Sequence, residues 1–440
     1  MPKRLRTLLA GVLSITAVSL AVGWQFAGSQ PTPMKPEPVV RVASGPTYWK
    51  GNLHTHSLWS DGNDFPEMIA DWYKSHGYHF LTLSDHNVLS EGERWIDIKT
   101  GKTNREAAVK KYLDRFGSAW VERRMKDATT EQVRLKPLAE FRSTLEEPGK
   151  FLLIPGEEIT HKFAKNPVHM NAINLRDVIL PADGKSVAET IVVNMRAVKE
   201  QRKKKGGNTI VFLNHPNFVW GVKAEDMLSE ELRFFEIFNG HPGVKNYGDA
   251  THVSCEKMWD IVLALRLGKE KLPIVYGMAT DDAHEYHTYG VGKTNPGRGW
   301  IMVQAPYLTA EAMCRSIETG DYYCTSGVVL KNVKRSTKEL SLAIQEETGV
   351  KYKTEFIATM KDTPLTSTPK TDKDGKQLDV TRDYHADLGK VIAESDSLEP
   401  SYRLTGNELY VRARVTSTKQ HPNPYQKGDV EVAWTQPVTP

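Results

Sequence analysis

The sequence predicts an α/β fold followed by a β-rich tail, on three observations. Between residues 48 and 330, short apolar runs alternate with stretches of amphipathic helical spacing. One after another, those apolar runs end in histidines and carboxylates. Beyond Leu330 the pattern changes to short alternating segments separated by polar breaks.

Residues 1–29 read as a signal peptide or an uncleaved membrane anchor. Lys3, Arg4 and Arg6 precede an apolar stretch over 8–22, and Ala27-Gly28-Ser29 supplies small residues for cleavage. The body is therefore expected outside the cytoplasm, periplasmic or secreted, with membrane attachment only if the anchor is retained. Residues 30–47 carry Pro31, Pro33, Pro36 and Pro38 and read as an extended linker.

In the body, 48–330, a first strand ends at Leu53. Further strands are expected at 80–83, 151–154, 170–175, 209–213, 234–238, 274–278 and 300–304. Asp64, Pro66 and Glu67 open a helix through Lys74, with Asp64 as cap. Ser186 and Glu189 form a capping box for a helix ending in the basic run 202–205 and Gly206-Gly207. Ser254 opens a helix over 256–267 that Gly268 closes, and Thr309 opens another ending near Gly320. Residues 90–150 form an insertion, charged and mostly helical by composition (105–116, 119–126, 137–145), expected to cap the mouth of the body. Residues 331–440 read as a small β-sandwich-like unit.

Composition narrows the function classes. With 39% apolar and 25% charged residues the chain can bury a core, which excludes disorder and a polytopic membrane protein. The net charge is +4, and the three positive residues of the leader leave only +1 elsewhere, so nucleic acid is not expected to bind through bulk charge. Three cysteines make no disulfide framework. Cys314 and Cys324 could pair in an exported protein or be small buried residues.

The strand ends carry the chemistry. His54-Thr-His56 places two imidazoles on one side of an extended backbone, as one metal ion requires. Asp61 follows in a Ser-Asp-Gly loop. Asp85-His86, Glu157-Glu158, His215 and Asp282-Ala-His284 add imidazoles and carboxylates at successive strand ends. In a βα barrel such ends share one face. His169 opens its strand and reaches that face only if the strand runs back antiparallel. Mixed imidazole and carboxylate ligation suits Zn, Mn or Fe rather than a calcium cage. No G-x-S-x-G and no Walker-type loop is present.

These pieces, His54-Thr-His56 with Ser60-Asp61-Gly62, Ser84-Asp85-His86, Pro155-Gly-Glu-Glu158, His169, Asn214-His215-Pro216 and Asp282-Ala-His284, resemble the polymerase-and-histidinol-phosphatase (PHP) family of metal-dependent phosphoesterases. Glu157-Glu158-Ile-Thr, His169-Met-Asn-Ala, Glu236-Ile-Phe-Asn-Gly and the tail Ala433-Trp-Thr-Gln-Pro437 look most like its carbaryl-hydrolase-like branch. The resemblance implies a distorted (β/α)7 TIM-like barrel holding two to three divalent transition metals. It implies His54, His56, Glu158 and Asp282 on a first ion, Glu158 bridging to a second held with His169 and His215, and Asp61, His86 and His284 on a third. Glu158, His215 and Asp282 are then the catalytic centre, with Asp85 behind the ligands orienting an imidazole. The family pattern has an apolar residue where Glu157 stands, so two adjacent carboxylates compete for the bridging place.

A metal-bridging hydroxide would cleave phosphate mono- or diesters without a side-chain nucleophile. Arg298, His241, Asn239, and His161 or Lys162 are the expected substrate contacts. Two other readings remain: a carbamate or carboxylic ester hydrolase on the same metals, favoured by a mouth lined with Trp59, Phe163, Phe218 and Trp220, and a non-catalytic metal-containing binding module.

Overall fold

The computed structural model describes residues 48–101 and 103–440, so the expected leader and linker lie outside the described residues. In chain order the strands that position the site are β1 (Tyr48–Asn52), β2 (Phe80–Leu81), β3 (Leu152–Leu153), β4 (Gly156–Phe163), β5 (Asn166–Ile173), β6 (Ile210–Leu213), β7 (Phe234–Asn239), β8 (Tyr276–Thr280) and β9 (Trp300–Gln304). They fall in two sheets rather than one closed barrel. In the first, β1, β2 and β3 are parallel and β9 lies antiparallel on the far side of β1. In the second, β4 and β5 form a hairpin, β6 runs antiparallel to β5, and β7 and β8 continue parallel to β6. Two isolated parallel bridges, Thr55 with Ala283 and His86 with Glu158, join the sheets just beyond the ends of β1, β2 and β8 and at the start of β4. The main core lies between these sheets and their helices, filled by Ile159, Met170, Phe212, Phe235, Trp259 and Met278 among others.

Helices form where their caps and apolar faces agree. The helix α1 (Pro66–Ser75) begins with Pro66 and Glu67 in its first turn and buries Met68, Ile69 and Tyr73. Asp64 does not cap it: Phe65 holds that position, and Asp64 instead binds Lys111 at 2.9 Å. In α4 (Val187–Lys205) the Ser186 hydroxyl accepts from the Glu189 amide at 3.0 Å, and the helix ends at Gly206 with φ 74°. Ser254 caps α5 (Cys255–Ala264), and Thr309 caps α6 (Ala310–Glu318). The expected stop at Gly268 is not one. The chain passes through a π-helical segment, Leu265–Glu270, and turns at Lys271 with φ 54°; Gly268 lies inside that segment, where Leu365 packs against the place a Cβ would take.

The insertion holds α2 (Glu106–Phe116) and α3 (Leu138–Leu145), but 119–126 is not helical. Arg123–Met125 joins a three-stranded sheet with Arg94–Asp97 and Glu131–Leu135. Its charged composition mimics a helix surface. Asp127, however, accepts the amides of Thr129 and Thr130 and closes a turn that sends the chain back as a strand. The insertion packs on α1 and on Leu58, Trp59 and Phe65. One tie is the Glu67 carboxyl, buried between Tyr112 Oη at 2.5 Å and Trp120 Nε1 at 3.3 Å. Burial pushes Glu67 up to about 7 from the ordinary value near 4.5. A raised carboxyl is stabilising while protonated, so its contribution, on the order of 3 kcal/mol, is present below pH 4.5 and lost as the pH rises through 7. Glu67→Gln is expected to flatten that limb of the stability–pH curve, measured by melting temperature from pH 4.5 to 8. An unchanged curve would contradict it.

The tail, expected as an appended unit from 331, continues the first sheet. With β10 (Tyr322–Thr325), β11 (Tyr352–Met360), β12 (Lys390–Ser395), β13 (Glu408–Gln420) and β14 (Val430–Thr435), the nine-stranded order is β12-β11-β13-β14-β10-β9-β1-β2-β3. A second layer, Leu330–Arg335, Glu339–Ile344 and Ser401–Arg403, packs Leu340 and Leu342 against Phe356, Val411 and Ala413. Arg412 on β13 locks the tail to α5. Fully buried, it grips Asp260 at 2.8 and 2.7 Å and Glu256 at 2.9 Å, and Tyr410 Oη donates to the same aspartate. Cys255, Cys314 and Cys324 are free and buried. Among the described residues no helix is long and apolar enough to cross a membrane.

Candidate metal centre

The face where β1, β2, β6 and β8 end, met by the start of β4 and the middle of β5, gathers all nine expected ligands. His54 Nε2 and His56 Nε2 lie 3.1 Å apart, and Asp282 Oδ1 is 3.2 Å from each. Donors each about 2.0–2.1 Å from one ion sit roughly 3 Å from one another, which is this spacing. Glu158 stands in the middle. Its Oε1 is 3.1 Å from His169 Nδ1 and 3.4 Å from His215 Nε2, and its Oε2 is 3.4 Å from His56 Nε2 and 2.7 Å from His86 Nδ1. Asp61 reaches His86 Nε2 at 3.5 Å and His284 Nε2 at 3.4 Å. Ligand atoms converge in four overlapping groups: His56, Asp61, His86 and His284; His54, His215 and Asp282; His54, His56 and Glu158; His86, Glu158 and His169.

The antiparallel return of β5 puts His169 in place. It sits mid-strand opposite Thr160, rather than opening the strand, and so points to the same side as Glu158. The bridging question between the paired glutamates has a geometric answer, since neighbours on a strand face opposite ways. Glu158 enters the cluster, while Glu157 turns behind the sheet to accept the Ile179 amide at 2.5 Å. The strain of the site is visible at Asp282, which holds φ 50° between two bridged strand ends.

Whether these residues suit metal is tested by their unmet needs. Glu158 Oε2 is fully buried with no aligned hydrogen-bond donor, even with His86 Nδ1 2.7 Å away, because Thr160 Oγ1 lies 2.5 Å from that same nitrogen. Tautomers are set from behind. His54 Nδ1 lies 2.7 Å from Glu236 Oε1, and His284 Nδ1 lies 2.9 Å from the Asp282 carbonyl, so the Nε2 lone pairs face the cluster. Burial works against charge on each group. The imidazoles of His54, His169 and His86 overcome it for Glu158, holding that carboxyl well below the usual range. Burial and the neighbouring His284 drive His56 down to about 3, so it is neutral and free to ligate. Burial is outweighed at His54, His86, His215 and His284, whose imidazoles the same carboxylates raise above their ordinary range, so a divalent ion taken up here would displace protons from them. Buried anionic oxygens converging with imidazole nitrogens fit divalent transition metals.

Several supporting residues differ from expectation. Glu236, which the sequence reading did not place in the site, orients His54. It also accepts from Thr280 Oγ1 at 2.7 Å, the His215 amide at 2.8 Å and Asn239 Nδ2 at 2.8 Å. Asp85 touches no imidazole; it holds the loop after β1 through the Ser57 amide and hydroxyl and the Ser60 hydroxyl, at 2.8, 2.7 and 2.6 Å. Asn239 is spent on Glu236 and on Asp282, which it meets at 3.1 Å, so it steadies a ligand rather than a substrate. His161 faces away from Glu158 and pairs with Asp183 at 2.8 Å. His241 does lie beside the cluster, edge-on to His284 and Phe218.

Arg298 is the clearest correction. Fully buried, it donates to the carbonyls of Gly240, Gly290, Lys293 and Asn423 and to Asn423 Oδ1, which uses all five guanidinium N–H groups. None is left for a phosphate. Arg298→Ala is thus expected to lower the melting temperature and to reduce turnover of charged and neutral esters in parallel; a loss confined to phosphate esters would reinstate it as a contact. Of the aromatic residues expected at the mouth, Trp59 is buried under the insertion, Trp220 stacks on His252, and Phe163 packs against the main core. Phe218 alone of the four lies edge-on to His215, at 5.1 Å.

Fold and site together define a mixed α/β protein with a candidate multi-metal centre of histidines and carboxylates. No family model and no curated protein matches the chain. Among solved structures it is similar to a two-domain protein of Bacteroides vulgatus containing a predicted PHP-like metal-dependent phosphoesterase, with 14% identity, covering 92% of this chain and 99% of that one, at a TM-score of 0.38. It is also similar to a candidate metal-dependent phosphoesterase of Bifidobacterium adolescentis, with 13% identity over 57% of this chain and 91% of that one, at a TM-score of 0.28. Neither likeness reaches a level that assigns an activity.

Proposed function

We propose that this chain is an exported PHP-type hydrolase of small-molecule phosphate esters that works with two or three divalent transition metals. The observation that carries the reading is Glu158, a buried carboxylate set among five imidazoles with one oxygen lacking an aligned donor. Divalent ions held by these side chains would supply Lewis acidity, for a water near neutral pH and against charge on a phosphoryl group. The chain's own residues do the positioning. Glu236 and Asn239 fix His54 and Asp282, and Asn214 Nδ2 holds Glu158 Oε1 at 2.8 Å. His241 accepts the Gly243 amide at Nδ1, at 2.9 Å, leaving Nε2 as its donor toward a substrate oxygen.

The test is reconstitution of the chain from residue 30 with Mn, Zn or Fe, then a screen of p-nitrophenyl phosphate, bis-p-nitrophenyl phosphate and a naphthyl carbamate. At least two ions per chain are expected by elemental analysis, with phosphate ester turnover lost on chelation and restored by metal. One ion or fewer after purification without chelator would sink the reading. The carbamate arm tests the second reading, which Phe218 beside His215 favours. A processed N-terminus in the exported fraction tests the leader.

A further inference from the structure

A cleft of about 450 Å³ opens beside the metal centre, reaching from His169 and Thr160 outward along the β4–β5 hairpin. One wall follows from strand periodicity. Glu158 and Thr160 both face the cluster, so Lys162, two residues further on β4, lies on the same side, and Lys165 stands at the hairpin turn. Both lysines are exposed, and neither has a carboxylate within ion-pair distance among the described residues; the nearby acids are engaged elsewhere, Asp183 by His161 and Asp379, which also feels Lys165, by Lys223. The facing wall is apolar. Phe218 packs edge-on against His215 and tilted against His169, and Val219 follows it, exposed at the rim.

That wall is held at a cost. Val219 and Trp220 adopt φ of 51° and 57°, which β-branched and bulky side chains rarely take. Gly221 is needed behind them, because a Cβ there would meet the Pro167 carbonyl at 2.6 Å. The loop is thereby drawn close onto the β5 strand that bears His169. Backbone strain of this kind concentrates at ligand clamps.

Resting on the phosphoesterase reading, we propose that this cleft selects phosphate esters whose organic part is flat or apolar and carries a second anionic group. The ring lies against Phe218, and the distal anion sits between Lys162 and Lys165. A carboxylate and a second phosphate share this chemistry, so the probes are phenyl phosphate, 4-carboxyphenyl phosphate and 1,4-phenylene bisphosphate, assayed with the metal-loaded full chain and with the double variant Lys162→Ala/Lys165→Ala.

Wild type is expected to show KM at least fivefold lower for the two doubly charged esters than for phenyl phosphate. The double variant should abolish that difference by raising KM for the two doubly charged esters to the value for phenyl phosphate. A preference for only one charged ester tells carboxylate from phosphate as the distal group. Equal KM values in wild type, or a preference that survives in the double variant, would overturn the cleft assignment while leaving the phosphoesterase reading intact. Failure to turn over phenyl phosphate at all would overturn both. Both lysines are exposed, so the variant is expected to fold, and an unchanged melting temperature and metal content check that it does.

Discussion

Glu158→Gln is expected to empty the centre of metal and to lower kcat/KM by about a thousandfold or more, roughly 4 kcal/mol of lost electrostatic stabilisation. The amide keeps the size of the side chain and the acceptor for Asn214, but removes the charge on which His54, His56, His86, His169 and His215 converge. Its neighbour is the control. Glu157→Gln alters a carboxyl behind the sheet whose contact is the Ile179 amide, and turnover and metal content should stay within about twofold. Elemental analysis and steady-state kinetics on both variants decide the matter, and a reversal of the two outcomes would place the bridge on the wrong glutamate.

The largest expected effect on stability comes from Arg412→Ala. Asp260 would remain buried with only Tyr410 as a donor, and an uncompensated buried charge costs about 3–5 kcal/mol. For a chain of this size that corresponds to a fall in melting temperature of roughly 4–6 °C. Replacing both partners by apolar residues, Arg412→Met with Asp260→Leu, should recover most of the loss, because the penalty lies in the orphaned charge rather than in the volume. A double variant as unstable as the single one would show packing, not charge, to be the cause.

Six of the nine candidate ligands, His54, His56, His86, His215, Asp282 and His284, were legible because they follow strand ends and break an apolar pattern there, whereas Glu158 and His169 stand inside strands and Asp61 in a loop. His54-Thr-His56, Asp85-His86 and Asp282-Ala-His284 each interrupt a hydrophobic run where a chain would otherwise turn. Glu236 was not legible for the opposite reason: it sits mid-strand in Phe-Phe-Glu-Ile-Phe-Asn, where a lone carboxylate carries no sign of its partner 182 residues away. Arg298 misled because flanking glycines suggest access to a ligand. In the structure they allow close packing instead, with Gly299 against Phe238 and the Gly297 and Gly299 amides on Asp281. The two-sheet division escaped sequence reading as well, since β-pairing across hundreds of residues leaves no local periodicity.

That long-range pairing sets an order of events as the molecule forms. Strand β1 pairs with β9 some 250 residues later, and β10 gains its second neighbour only when β14, more than a hundred residues downstream, arrives. Closing such large loops before any reward places this chain among slow, high-contact-order folders. Until β14 docks, the outer edge of β10, Tyr-Tyr-Cys-Thr, is an open template of unpaired amides and carbonyls, the kind of edge on which chains associate wrongly. While the molecule forms, its vulnerable place is therefore this waiting edge.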